Sequence, residues 1–340
     1  VKIYLAGERA AIATTAAIRR LGGDAAAAVW TQSVKRRLFS FYYHGFSGAA
    51  FEQDPTTGLS TAIADSVSFG WELFLDSGAF TAFTKGATIP VKEYAEYIRK
   101  TEKVWSVCSS LDAIGRGEVN SVEQLESARQ SWRYFDELRS LGARVQPVWH
   151  VREPVKVLQV YVDQGHDYIF IGGMVPETTQ WLMQRLDDVW SNVLTRKDGT
   201  YKVKIHGFGL TDSKLMFRYP WYSADSSSWL MTGIFGACMF YIPGGKPPLK
   251  KVVFSSESPA ARKLNAPHYE RMTSDAKAEV ERWLEPYEVT PGQLSQHYSF
   301  RDVVNAAVFQ SLEKLGTDCF IKEQPTIFDV ASNWFDQEAA

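Results

Sequence analysis

The sequence predicts an α/β chain folded as a (β/α)8 barrel of the TIM type, followed by a mainly helical C-terminal appendage. Three observations predict it. Eight short apolar runs recur along residues 1–243, and most are followed by a turn and then by a stretch with helical apolar spacing. The runs are mostly continuous rather than alternating, as expected of strands covered on both faces. Eight such units suffice to close a barrel, whereas an open doubly wound sheet more often has about five to seven strands.

In chain order the runs begin at Lys2 (KIYLAG), Leu38 (LFSFYY), Glu72 (ELFLD), Val104 (VWSVCSSLD), Arg144 (RVQPVWH), Asp167 (DYIFIGG), Val203 (VKIHGFG) and Trp221 (WYSAD), the last being the shortest. Helical spacing lies between them at Ala10 to Leu21, Val91 to Glu102, Val122 to Leu141, Pro154 to Gln164 and Thr178 to Trp190. Strands separated by helices imply parallel pairing through crossovers. The stretch from His44 to Trp71 is long for a connection and is expected to hold an excursion over the active face. After Tyr241 the segment PGGKPPLKK reads as a loop or domain edge, and Ser274 to Leu284 and Phe300 to Leu315 read as helices. The expected division is a catalytic barrel over 1–243, then a basic loop and mainly helical region over 244–340.

Length alone fits two domains of about 150 residues or one barrel of about 250. With 45% hydrophobic residues the chain can bury a sizeable core, which excludes a disordered protein. Lys and Arg total 37 against 39 Asp and Glu, so no overall basic footprint favours a nucleic-acid partner, and any such contact must be local. Cys108, Cys238 and Cys319 are too scattered for a disulfide framework or a cysteine zinc cluster, which points to a reducing compartment. Neither a membrane-spanning apolar run nor a signal-peptide pattern is visible. The expectation is a cytoplasmic protein with no membrane partner.

In a barrel the chemistry sits at the C-terminal ends of the strands. Those ends read Gly7, His44, Asp76, Asp112, His150, Gly172 with Gly173, His206 to Gly209, and Asp225. Asp and Gly also follow strands because they favour turns and helix caps. Carboxylates at the ends of several different strands nevertheless point jointly to an active site.

Asp76-Ser77-Gly78-Ala79-Phe80, after the apolar Leu73 to Leu75, resembles the DSGGF motif of the tRNA-guanine transglycosylases. Further matches follow in that family's order: Asp112 closing SLD, Gly172-Gly173-Met174 resembling its base-binding turn, Gly207-Phe208-Gly209 resembling its GxG, and Asp225 where the family has its nucleophile. There are departures too. Ala79 replaces a Gly, Thr81 stands where Gln is usual, His150 falls about where the family has a Gln-Gly-Gly turn, and the zinc motif is absent. In overall look the chain is most similar to the 7-deazaguanine DNA transglycosylases of some bacteria and phages.

That resemblance implies exchange of guanine in DNA for a free 7-deazaguanine, such as 7-cyano-7-deazaguanine, on a barrel without zinc subdomain, metal or cofactor. Exchange at C1′ with retained configuration calls for a double displacement with two carboxylates. Asp225 is then the nucleophile that holds the sugar covalently, and Asp76 is the acid that assists the departing base and the base that deprotonates its replacement. Asp112 would accept from the guanine edge, and Gly172 and Gly173 would admit a flat ring. Ser77, Gly78, Gly207 and Gly209 complete the base pocket, with His150 contacting the base and Met174 packing on it. A duplex must extrude the target nucleotide, and aromatics near strand ends, Phe80 and Phe208 among them, are candidate platforms. Lys246, Lys250, Lys251, Arg262 and Lys263 are the candidate DNA-backbone contacts. Four other readings stay open: the same exchange on tRNA, which loss of the zinc motif disfavours; a barrel nucleoside or glycoside hydrolase; a non-catalytic purine-binding barrel; and a metal hydrolase using His44, His150, His206, Asp76 and Asp225.

Overall fold

The computed structural model describes residues 1–7, 11–46, 57–210, 212–245, 248–263 and 266–315. Its first strand β1 (Lys2–Ala6) leads through α1 (Ala11–Arg20) and α2 (Asp24–Ser33) to β2 (Arg36–Ser40), and α3 (Thr61–Ser68) precedes β3 (Glu72–Asp76). Then come α4 (Ala79–Thr84), α5 (Val91–Lys100), β4 (Val107–Cys108), α6 (Val122–Ser140), β5 (Val148–His150), α7 (Val155–Asp163) and β6 (Tyr168–Gly172). The series continues with α8 (Thr179–Val189), β7 (Lys204–Gly207), α9 (Ser213–Arg218), β8 (Ser223–Ser226) and α10 (Ser228–Ile234).

The eight strands form one parallel sheet in the order β4-β3-β2-β1-β8-β7-β6-β5. In a flat sheet β3 and β7 would stand about 19 Å apart, four spacings of about 4.8 Å. Instead the rings of Phe74 on β3 and His206 on β7 have centroids 4.7 Å apart, and Phe74 lies 5.1 Å from Phe170 on β6. The sheet is therefore curled. Its two edges approach through the residues flanking β4 and β5: Ser110 N–H donates to Gln146 O at 2.8 Å, and Gln146 N–H donates to Cys108 O at 3.0 Å.

The curl explains the continuous apolar runs. Side chains alternate between faces, and both faces are buried. Tyr4, Leu38, Phe74, Val148, Tyr168 and Phe170 fill the inside of the curl. Their neighbours Ile3, Leu5, Phe39, Leu75, Trp149 and Ile205 belong to the larger core between sheet and helices. The helices are set locally by their ends and faces. Ser121 caps α6 by accepting from Gln124 N, and Thr178 caps α8 by accepting from Trp181 N. In α5, Tyr94, Ala95 and Ile98 share the buried face, while Arg99 and Lys100 sit at the C-terminal end favoured by the helix dipole.

Beyond α10 the segment read as a loop joins a hairpin of β9 (Ala237–Tyr241) and β10 (Leu249–Val253), so the region after 243 begins with a strand. Helices α11 (Ser274–Leu284), α12 (Pro291–Gln296) and α13 (Tyr298–Ser311) follow. Helix α13 packs on β1, α2, α10 and β9, and Phe300, Val304 and Val308 are part of the same apolar core as Ile3 and Leu5. Its polar side chains tie the chain's ends together. Gln310 bonds the backbone of Lys35 and Ile3, and Asn305 bonds that of Ala237 and Met239.

Candidate functional site

Asp76 ends β3, two residues after Phe74 and so on the inner face of the curl. Its Oδ2 accepts the Gly78 N–H at 2.9 Å, which turns the chain sharply into α4. Gly78 has φ +79°, and a Cβ there would lie 2.4 Å from both Ser40 Oγ and Tyr42 Cβ. The glycine of this motif is thus required by the neighbouring strand end. Ser77 is fully buried and occupied internally: its N–H donates to Ser109 Oγ at 2.9 Å, and its hydroxyl donates to Asp112 Oδ1 at 3.4 Å.

Asp112, beyond β4, holds its other oxygen Oδ2 2.9 Å from His150 Nε2 at the end of β5. The His150 ring lies against the glycine pair after β6. A Cβ on Gly172 would stand 2.7 Å from His150 Cδ2, and one on Gly173, at φ +71°, 3.3 Å from His150 Cβ. On the far side His150 Nδ1 is 3.4 Å from Glu153 Oε1, an ion-pair distance without hydrogen-bond alignment. Burial opposes a charge on His150, but contacts with Asp112 and Glu153 outweigh it and push the imidazole up to about 10. Burial also raises the Glu153 carboxyl above its ordinary value, against the pull of His150.

A second cluster stands at β7 and β8. His206 is fully buried, with Nδ1 2.5 Å from Ser223 Oγ and Nε2 3.3 Å from Asp225 Oδ1. Burial holds its pKa below the ordinary histidine value against the pull of Asp225, so the ring is neutral. Ser223 Oγ also bonds the Tyr168 hydroxyl, whose ionisation burial suppresses. One proton order satisfies every atom: Tyr168 O–H donates to Ser223, Ser223 O–H donates to His206 Nδ1, and the remaining imidazole proton on Nε2 faces the carboxylate. The reverse order would turn an Nε2 lone pair on Asp225. Gly209, at φ +62°, adds its N–H to the same Oδ1 at 2.9 Å. Asp225 Oδ2 accepts no hydrogen bond among the described residues. Asp76 and Asp225 both lie on the C-terminal side of the layer formed by the Phe74 and His206 rings.

The remaining expected positions fall elsewhere. A Cβ on Gly207 would meet the Trp221 ring at 3.2 Å, so close packing accounts for this glycine, and Met174 is buried in the apolar core. His44 is not at a strand end: β2 stops at Ser40, the chain enters a π-helical turn over Tyr42–Phe46, and buried His44 Nδ1 bonds Ser60 Oγ at 2.6 Å. Lys246 lies outside the described residues. Lys250 and Lys251 are exposed neighbours on β10 and so point to opposite faces, Lys250 with its ammonium 5.4 Å from the Trp283 ring centre. Arg262 ends a 3-10 turn and Lys263 follows it, both exposed. No described contact joins these cations to the strand-end clusters.

Sequence reading missed Glu153, Ser223 and Tyr168. The signals were weak: Glu153 stands three residues after His150, and Ser223 two residues before Asp225, hence on the same strand face. Among the described residues no group of three His, Cys, Asp or Glu is arranged to hold a metal ion, and no helix is long and apolar enough to cross a membrane. No protein-family model matches the chain, and no curated protein matches it significantly.

Proposed function

We propose that the chain is a base-exchange transglycosylase that replaces guanine in DNA by a 7-deazaguanine, on a curled sheet that closes as a (β/α)8 barrel where the residues flanking β4 and β5 meet. The observation that carries this reading is the asymmetry of Asp225. Two donors, His206 and Gly209, hold Oδ1, and Oδ2 is left for bonding to carbon. A nucleophilic carboxylate needs that arrangement, because the held oxygen fixes the attack angle while the other forms the ester.

In the first displacement Oδ2 bonds to C1′ as the C1′–N9 bond breaks, and Asp76 gives a proton to the departing guanine. In the second, Asp76 takes the proton from the ring nitrogen of the incoming base, which attacks C1′ and expels the Asp225 carboxylate. Asp112 meets the donor edge of the purine, its orientation fixed by Ser77 and His150. The glycine pair lets the His150 ring lie close against the end of β6, beside Asp112. DNA as acceptor rests on the motif resemblance.

The test is incubation of the purified chain with labelled guanine and either DNA or tRNA. Label entering DNA, and a covalent protein–DNA adduct trapped by denaturation, are expected. Asp225→Asn should lose both. Label in tRNA alone overturns the acceptor, and full exchange by Asp225→Asn overturns the nucleophile.

A further inference from the structure

Glu153 has no task in the chemistry above, yet its position is costly. Its side chain is 0% exposed, and neither carboxylate oxygen has a hydrogen-bond partner among the described residues. A buried carboxylate without hydrogen-bond partners is strongly disfavoured unless an opposite charge compensates it. The nearest such group is the His150 imidazole at 3.4 Å. The backbone beneath is fixed from two sides: Glu153 N–H donates to His150 O at 2.9 Å, while the Arg185 guanidinium donates to Val151 O at 2.9 Å and Glu153 O at 2.7 Å. The turn after β5 is thereby held so that the carboxyl stays under the ring.

We propose that Glu153 is a positioning residue for purine recognition: acting through His150, it keeps the Asp112 carboxylate in one orientation toward the purine edge. The inference rests on the transglycosylase reading for its ligand and on the contacts above for its geometry. An imidazolium donates from both ring nitrogens, so it bonds Asp112 through Nε2 while Nδ1 faces Glu153. A neutral ring carries one proton, and either tautomer leaves one of the two carboxylates facing a lone pair. The groups facing this unit include Ser77 on Asp112, the Tyr161 hydroxyl of α7, whose ionisation burial suppresses with help from Glu153 and Asp112, the Tyr94 hydroxyl of α5, suppressed chiefly by burial with Asp112 among its charged neighbours, and Arg185 of α8, engaged by the backbone. No other histidine, lysine or arginine side chain has a described contact with either carboxylate.

The experiment compares the full chain with Glu153→Gln and Glu153→Asp, using guanine as the ligand. Guanine affinity is measured by calorimetry at pH 6 and pH 8.5, and the His150 ring is followed by nitrogen NMR, assigned with His150→Gln. In the parent chain His150 should stay an imidazolium through pH 8.5. Glu153→Gln should bring its titration down by about 2.5 pH units from about 10 and so weaken guanine about tenfold at pH 8.5, with less than a threefold change at pH 6; Glu153→Asp should recover part of the loss. Equal loss at both pH values would mark a merely structural role and overturn the inference. An unmoved His150 titration in Glu153→Gln would do the same, as would ordinary histidine titration in the parent chain, which needs no variant to fold. Absence of guanine binding by the parent chain at either pH would overturn the transglycosylase reading and the ligand assigned here, whatever His150 does.

Discussion

Replacing Ser223 by Ala removes a single oxygen and with it both hydrogen bonds that connect Tyr168 to His206. Both partners are buried, and each is left without its mate at about 1–3 kcal/mol, so the change should destabilise the fold by about 2–6 kcal/mol. At an unfolding entropy of about 2.1 cal/mol/K per residue, that corresponds to a melting point lower by roughly 3–8 °C. The change should act on the site as well. With no donor at Nδ1, His206 is free to place its proton there, which turns a lone pair on Asp225 Oδ1 and loosens the carboxylate. Trapping of the covalent adduct in a single turnover should slow by roughly 10–100-fold, the equivalent of about 1.4–2.7 kcal/mol in the barrier. Tyr168→Phe removes one donor and leaves the Ser223–His206 bond, so it should cost about 1 kcal/mol and slow trapping less. Calorimetry on the three proteins and a quenched time course on DNA make the measurement. A Ser223→Ala protein that melts within 1 °C of the parent and traps DNA at the parent rate would refute the directed chain from Tyr168 to Asp225.

Gly172→Ala places a methyl 2.7 Å from His150 Cδ2 and must displace the ring from Asp112; guanine affinity should drop at least tenfold while the melting point falls only by the few degrees expected of about 1–3 kcal/mol of overpacking, and unchanged affinity would separate His150 from recognition. Burial pushes His166 down to about 4, below an unfolded value near 6.5. Its contribution to stability is therefore intact above about pH 6.5 and lost as pH falls toward 4, so urea unfolding of His166→Gln should show a shallower acid limb over that window than the parent. His150 has the opposite sign: raised to about 10, it contributes stability that is fully present below about pH 6.5 and lost as pH rises toward 10, and Glu153→Gln should flatten that alkaline limb. Charge reversal at Lys250 and Lys251, both exposed, should weaken DNA binding and reduce its salt slope by up to about two ions without altering affinity for free guanine; an unaltered slope removes β10 from the DNA path.

How far the fold could be read from the residues depended on whether the information was local. Continuous apolar runs announced doubly covered strands because both faces of the curled sheet are buried, and α11 falls on the Ser274 to Leu284 span its spacing predicts. Helix α13 was legible as a helix but not as a core element. Its polar residues Asn305 and Gln310 bond backbone of β9, β1 and the approach to β2, partners at sequence separations that no local pattern reports.

The same distinction runs through the site. Asp76, Asp112, His150 and Asp225 were legible as polar residues at or near the C-terminal ends of strands. Ser223 opens β8, and nothing in its own neighbourhood says that its hydroxyl meets a histidine from β7 and a tyrosine from β6. Glu153 is harder still, since a glutamate opening a helix connection ordinarily faces water, and its burial arises only when α7, α8 and the His150 ring close around it. Both residues reach a carboxylate near a strand end through a histidine. Residues that present chemistry to a ligand must break the local pattern, whereas those that aim them need only match partners brought by other strands. Strand-end reading should therefore find the first kind and miss the second, and Ser223 and Glu153 are the residues whose replacement tests whether the aiming matters.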